Sequence, residues 1–428
     1  MLKSIFIQLW NRKQSNIWLF FELLLVFCLT WYITDYLFVY NYNRNIPNYR
    51  DTAHTWQIQI EENTSKNPDY SEEANAPEVR EANYARIVQA IRNYPGIETV
   101  GISFIRSYPG SGSYTQYSFD SPTDSTRQVS GRVIRIDSET DFFKVFRYST
   151  DNGKKPVSVK DFEWTNPRGI VIGKMSAETL FPGESAVGKK FKGDDPLVVL
   201  GIVDDTKRFD YLRPQYTFYY SQRVNAKNIR NADIAVRLNP SVSGKIFQEK
   251  FLNEMTSTLQ IGNFYLKGVT SYEQIATDVE TEYGVSKDIR IRTYLMIFFL
   301  LNIVLCVIGT FWYRVNLRKE EIGLRRALGS TKNGIRNILI GEGLCLLSIV
   351  LIPAMIIEYQ FVHADLIETL GVGSETLFYE LLPDKTLLRF LITNAITWVI
   401  MAAVTVLSIW LPATKAAELE AADALRDE

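Results

Sequence analysis

Apolar positions along the chain are gathered into four long blocks, with a polar region over 41–292 between the first block and the second. Thr293–Tyr313 (TYLMIFFLLNIVLCVIGTFWY) contains no charge. At 1.5 Å per residue it is roughly 30 Å long, the thickness of one bilayer core. Phe390–Leu411 is likewise uncharged, and both are read as transmembrane helices. Ile338–Ile357 is a third span, with Glu342 near its start and Pro353 near its end. The proline predicts a kink, which membrane helices tolerate. Ile17–Tyr40 is the first span, with Glu22 a turn or so inside it and Asp35 near its far end. A charge at mid-bilayer costs about 2.5–3.5 kcal/mol, and near either end most of that cost disappears. Both acids are therefore expected at the interface rather than in an ion pathway. The first block is too long for a signal peptide and no A-x-A-like cleavage site follows it, so it is expected to stay attached.

Basic residues set the orientation. Lys3, Arg12 and Lys13 precede the first span, and Arg314, Arg318, Lys319, Arg325, Arg326, Lys332 and Arg336 lie between the second and third. The segment after the third span is mostly acidic. This predicts an N-terminus (1–16), a loop (314–337) and a C-terminal tail (412–428) in the cytoplasm. It places 41–292 and an outer loop (358–389) outside. Trp10, Trp18, Trp312, Tyr313 and Trp410 fall at the proposed interfaces, where amphipathic rings sit.

Within the polar region the periodicity changes. TWQIQIE (55–61) alternates like a half-buried strand, PEVREANYARIVQAIRN (77–93) has the spacing of an amphipathic helix, and ETVGISFIRS (98–107) is a strand. The same order returns in ADIAVRLN (232–239), SVSGKIFQEKFLNEMTSTL (241–259) and NFYLKGVT (263–270). Two βαβ-like halves thus flank a middle segment, which predicts an α+β domain with a split βαβ layer and an inserted β-rich subdomain at about 108–230. Residues 62–77 are polar and aperiodic, and 107–131 are rich in Ser, Gly, Thr and Pro, so both are expected to be weakly ordered, the second as loops or a hairpin. Residues 271–292 read as a helical stalk extending the second span.

Composition narrows the chemistry. A net charge of −1 on 428 residues gives no reason to expect a nucleic-acid partner. The three cysteines, Cys28, Cys306 and Cys345, all sit in apolar blocks, as small fillers do. The two histidines are far apart, so zinc sites and Ser/His triads are poorly supplied, and neither enzyme activity nor a cofactor is expected. GESAVGKK (183–190) nearly matches a phosphate-binding loop, but Lys190 replaces the hydroxyl that would hold Mg²⁺. Gly183 and Gly188 are expected to serve turns instead.

RVNLRKEEIGLRRALGSTKNGIRNILIGEGL (314–344) is the most informative stretch. Glu320 and Glu321 precede Arg325 and Arg326 at spacings that lace a helix over 314–328. Ile322, Leu324 and Leu328 supply an apolar stripe. Gly329 offers a helix stop, and Ser330 or Thr331 can cap a new helix running into the third span. The segment is either a membrane-surface anchor or a docking surface for a cytoplasmic protein.

Here the chain resembles FtsX-like permeases, the group that includes MacB-type exporters and lipoprotein-releasing permeases. Glu321, Ile322, Gly323, Leu324, Arg325, Arg326, Ala327, Leu328, Gly329 and Thr331 match its signature, with Ser330 where Ala is usual, and Glu342 matches a later acid. In the tail, Pro412, Ala416, Ala417, Ala424, Leu425 and Arg426 match the family's ending, with Ala422 where Pro is usual. DFFKVFRY (141–148), IVI (170–172), TLFPGESAVGKKF (179–191) and VVLGIVDD (198–205) look like a MacB-type periplasmic domain.

The resemblance implies the permease subunit of an ABC transporter in a bacterial inner membrane, working as a homo- or heterodimer with a second permease chain. A cytoplasmic ABC ATPase would grip Glu320, Glu321, Gly323, Arg325, Arg326, Gly329, Ser330, Thr331 and Lys332. Its motion would pass to the outer domain for export or extraction of a substrate. Glu22 and Glu342 are the candidate intramembrane polar groups. MacB-type exporters carry the ATPase at their N-terminus; this chain begins almost at its first span, so the ATPase is expected as a separate subunit. An alternative is an FtsX-like regulator acting on an outside partner such as a cell-wall hydrolase. A periplasmic adaptor and outer-membrane channel remain open.

Overall fold

The computed structural model describes residues 13–113, 115–122, 124, 126–164, 168–191, 197–363 and 386–418. The ends of the expected N-terminal and C-terminal segments, Trp10, most of the outer loop and the tail residues from Ala422 onward lie outside them. The chain divides into two compact units, Arg44–Gly284 and the remainder.

Among the described residues the second unit is a bundle of four helices long and apolar enough to cross a membrane. They are α1 (Lys13–Asn45), the helix Val285–Leu317, the helix Lys332–His363 and the helix Thr386–Glu418. Each is 32 or 33 residues long, so each runs on past the ~30 Å apolar stretch that the sequence marks. Pro353 and Pro412 both lie inside helices rather than ending them. The inward faces repeat at four- and seven-residue spacings: Leu19, Leu23 and Phe27 on the first helix, Ile303, Val307 and Phe311 on the second, and Leu339, Leu346 and Val350 on the third. Gly343 lets the third helix approach the fourth, since a Cβ there would stand 2.2 Å from Ile409 Cδ1. Ile17, Trp18, Phe21 and Leu25 remain outward, as residues facing lipid would.

The first unit is an α/β domain. Its first half is β1 (Thr55–Glu62), α2 (Pro77–Arg92) and β2 (Ile97–Phe104). The middle segment supplies β3 (Gln116–Asp120), β4 (Gln128–Ile136), the one-turn α3 (Phe142–Val145), a small ribbon of β5 (Ser149–Thr150) and β6 (Lys155–Pro156), then β7 (Gly169–Gly173), α4 (Lys174–Leu180), β8 (Val198–Val203) and β9 (Thr217–Ser221). The closing half is β10 (Ala232–Leu238), α5 (Gly244–Met255) and β11 (Phe264–Ser271), followed by α6 (Tyr272–Glu282).

The two βαβ halves interleave in the order β11-β1-β10-β2, every neighbour antiparallel. This is the split βαβ layer that the repeated pattern predicts. Tyr84, Ile87 and Ile91 of α2 and Phe247 and Phe251 of α5 pack on it. The middle segment is not a detached subdomain, because its strands continue the same nine-stranded sheet through β4, β9, β7 and β8. The seam is narrow: β2 meets β4 only at Ser103↔Ile136 and Phe104↔Arg135. An aromatic cluster of Phe142, Phe143, Phe146, Tyr148 and Tyr219 fills in behind it. Gly101 makes room for this cluster, since a Cβ would lie 2.7 Å from the Phe142 backbone.

Two expectations change here, and a third, the hairpin, is met. Residues 62–77 are tied down by Asn263, which is 1% exposed and bonds Ser71 through both ends of its amide at 2.8 Å. The segment 107–131 includes β3 and the first residues of β4, so it forms a hairpin. The stalk is not one helix: α6 stops at Glu282, and Gly284 takes a left-handed φ of +73° before the next helix begins at Val285. Gly183 and Gly188 are also left-handed, in turns, and the described chain between Gly183 and Phe191 contains no helix of the kind a phosphate loop requires.

After β2 the chain turns through two left-handed residues, Ile105 (φ 58°) and Arg106 (φ 51°). Asp233 holds this turn, accepting from Arg106 N at 2.8 Å and from Gln57 Nε2 at 3.3 Å. Burial pushes its carboxyl up from 3.8 to about 7, against the lowering effect of those hydrogen bonds. Between these values the folded domain holds a proton that the unfolded chain has released, so stability falls as pH rises through that window. Hydrogen exchange of the β10 amides in the full chain should accelerate from pH 5 to pH 8 beyond its intrinsic pH dependence. Asp233→Asn should reduce that excess.

Candidate functional site

The segment between the second and third membrane helices forms a short elbow. The second membrane helix, α7 (Val285–Leu317), ends one residue before α8 (Lys319–Ala327), and the third, α9 (Lys332–His363), follows after four residues. The predicted helix over 314–328 is thus broken at Arg318, whose φ of −114° and ψ of 17° fall outside the helical range. Glu321 and Arg325, one turn apart on α8, pair at 2.9 Å.

The end of α8 is closed by backbone geometry. Gly329 N donates to Arg326 O and Ser330 N to Arg325 O, both at 3.0 Å. This is the paired closure that a left-handed residue permits, and Gly329 supplies it with a φ of +91°. Arg326 Nη1 adds a bond to Ser330 O at 3.4 Å. Of the two capping candidates, Thr331 caps α9, its Oγ1 accepting from Gly334 N at 3.1 Å. Lys332 begins α9 and is exposed, as is Glu320.

The apolar stripe divides. At 100° per residue, Leu324 and Leu328 share a face while Ile322 lies well away from it. Ile322 is accordingly 5% exposed and joins the bundle core, with Gly323 buried beside it. Leu324 and Leu328 are 56% and 79% exposed. Two leucines beside the Glu321–Arg325 pair and Arg326 make an amphipathic tip.

A buried ion pair fastens the elbow to the bundle. Arg318 Nη1 donates to both oxygens of Glu342, at 2.8 and 3.0 Å, with Glu342 1% exposed. Cation–π contacts surround this end: Arg336 over Trp410 at 4.2 Å and Lys415 over Trp312 at 4.9 Å. The last of these joins α7 to the fourth membrane helix, α10 (Thr386–Glu418).

The structure thus brings Glu320, Glu321, Gly323, Arg325, Arg326, Gly329, Ser330, Thr331 and Lys332 onto one elbow and adds Glu342 through Arg318. Glu22 is not part of it. It bonds Cys306 Sγ, about three helical turns before Arg318. Asp35, expected at a solvated interface, is instead 2% exposed and paired with Arg389, Nε to Oδ1 at 2.9 Å. Neither Arg318 nor Arg389 stood out in the sequence as a partner. An acid inside an apolar span does ask for a cation, but it does not say which one.

Four membrane-crossing helices, a folded α/β domain between the first two and a closed elbow between the next two define a polytopic permease-like membrane protein. A family profile described as "MacB-like periplasmic core domain" matches residues 36–253, just over half of the chain, and one described as "FtsX-like permease C-terminal" matches 294–421. The chain belongs to the MacB/FtsX-type family of ABC transporter permeases. Similar solved structures include the periplasmic region of MacB from Actinobacillus actinomycetemcomitans, at 13% identity over 54% of this chain and 94% of that one, with a TM-score of 0.32. A domain of a putative permease from Porphyromonas gingivalis is 14% identical over 43% and 81%, with a TM-score of 0.30. The extracellular domain of the noncanonic ABC-type transporter YknZ from Gram-positive bacteria is 14% identical over 50% and 100%, with a TM-score of 0.29. No curated protein matched the chain.

Removing Arg318 would take two charge-assisted hydrogen bonds from the buried Glu342. Arg318→Ala should cost about 3–5 kcal/mol, whereas the paired change Arg318→Met with Glu342→Gln should cost far less. Thermal unfolding of the full chain in detergent, followed by tryptophan fluorescence, checks both.

Proposed function

We propose that this chain is the permease subunit of an ABC transporter in a bacterial inner membrane and that residues 314–334 dock a separate cytoplasmic ATPase. The permease works as a dimer. It passes ATPase motion to the α/β domain on the far side of the membrane, for export or extraction of a substrate. The observation that carries this reading is the elbow tip, where Leu324 and Leu328 stand exposed beside charged side chains on a helix closed at its end by Gly329. A lipid anchor needs no such closure. Docking in a protein groove gains from it, because a preformed helix loses less freedom on binding.

The fastening by Arg318 and Glu342 supports the mechanical half of the proposal. A push on α8 reaches α7 and α9 together, since the ion pair and the packing of Ile322 tie the elbow to both. The two crossings of the chain between bundle and domain, near Asn43 and Gly284, are covalent routes onward. The basic residues of 314–336 support a cytoplasmic elbow, and hence N- and C-termini on that same side.

Co-purification with the ATPase tests the docking surface. Leu324→Asp, Gly329→Leu and the reversal Arg325→Glu/Arg326→Glu should each weaken the association at least about tenfold, as loss of an interface hot spot does. Retention of the ATPase by all three would refute the docking assignment. The orientation is tested separately by a membrane-impermeant thiol reagent on intact cells, with the native cysteines replaced. It should label Ser185→Cys and spare Lys332→Cys, and the reverse pattern would overturn the topology.

A further inference from the structure

The helix bundle holds a buried acid outside the ion pairs of its ends. Glu358, on α9, is fully buried, at 0% exposure. Among the described residues neither of its carboxyl oxygens has a hydrogen-bond partner. The groups that face it are Asp35 and Cys28 from α1 and Asn394 from α10. Asn394 donates one of its two amide hydrogens to Phe390 O at 3.1 Å and carries no charge. Tyr359 and His363 are the titratable side chains nearest in sequence on its own helix, and they lie against each other.

Charge counting decides what Glu358 is. Arg389 on α10 bonds both oxygens of Asp35, so that pair is neutral by itself. A second ionised carboxyl beside it would place an unmatched negative charge in an apolar bundle, next to another carboxylate. Such a charge is far more costly there than a neutral acid, and an unpaired group under those conditions takes up a proton instead. The polar side chains near Asn394 in sequence on α10 bond one another or α1. Trp31 Nε1 donates to Thr393 Oγ1 at 3.0 Å, and Thr397 bonds back to Thr393 O at 2.9 Å. None of these groups carries a positive charge.

We propose that Glu358 is an intramembrane proton-binding site, protonated in this arrangement of the helices. It releases its proton to water only when the helices rearrange to bring a cation or solvent beside it. The site gives the bundle a chemical register of its conformation, because two carboxyls and one arginine have room for one proton in one arrangement and none in the other. The inference stands on the bundle alone and does not depend on the docking of an ATPase.

Infrared spectroscopy of the full chain in lipid reads the proton directly. A protonated carboxyl has a carbonyl band separate from that of a carboxylate, and it shifts in heavy water. At neutral pH the wild-type chain should show this band, and Glu358→Gln should lose it. Glu358→Asp, which keeps an acid at the site, should retain it at a shifted position and serves if the glutamine variant does not fold. Glu22→Gln should leave the band unchanged. If wild type and Glu358→Gln share the same spectrum in this region, Glu358 is ionised and the proposal is wrong.

Discussion

A carboxylate inside a membrane helix is costly unless a cation reaches it, and in this chain that requirement falls on Glu342 and Arg318. Arg318 stands in the single-residue break after α7, and Glu342 lies about three turns into α9. For the two to meet at 2.8 Å, the chain between them must fold back sharply. The elbow is the shape that results. Its short helix, the left-handed Gly329 and the Thr331 cap all serve to reverse the chain within that distance. The exposed tip that we assign to docking is what remains outside once Ile322 and Gly323 have been drawn into the bundle.

The same constraint operates at the other end of the bundle with a different outcome. Asp35 has Arg389, so its charge is matched within the helices. Glu358 has no such partner among the described residues. Three buried acids thus meet the low-dielectric interior in two ways, two by ion pairing and one, as we propose, by neutralisation. An ion pair holds two helices in register, and a neutral acid leaves them free to move past each other. The bundle therefore carries an ion pair near each end, with a carboxyl that no ion pair matches beside the Asp35–Arg389 pair.

The α/β domain shows a related economy. A split βαβ layer has an edge strand, and an uncovered edge invites pairing with other chains. Here the middle segment occupies the edge of β2, so the sheet continues instead of ending. The join involves few backbone pairs, and the aromatic cluster around Phe142 and Tyr219 adds the apolar contact that the short seam lacks.

Much of this was legible along the chain. Uncharged blocks of about twenty residues specify membrane helices because lipid offers the backbone no partner other than itself. The repeated strand–helix–strand order specified the split layer, since local periodicity fixes which face of each element is apolar. The Gly329 stop was visible because few other residues accept its backbone angles. What only the tertiary structure decided is which distant groups meet. Arg389 reaches Asp35, Arg318 reaches Glu342 and Asn263 pins Ser71, each pair brought together by packing rather than by spacing. Leu324 and Ile322 look alike in a sequence, and their separation into tip and core depends on how α8 rotates against the bundle. Glu358 is unremarkable in sequence at the end of an apolar span, and only burial without a cation makes it a candidate to hold a proton. Periodicity is a property of neighbours along the chain, whereas charge matching and burial depend on neighbours in space.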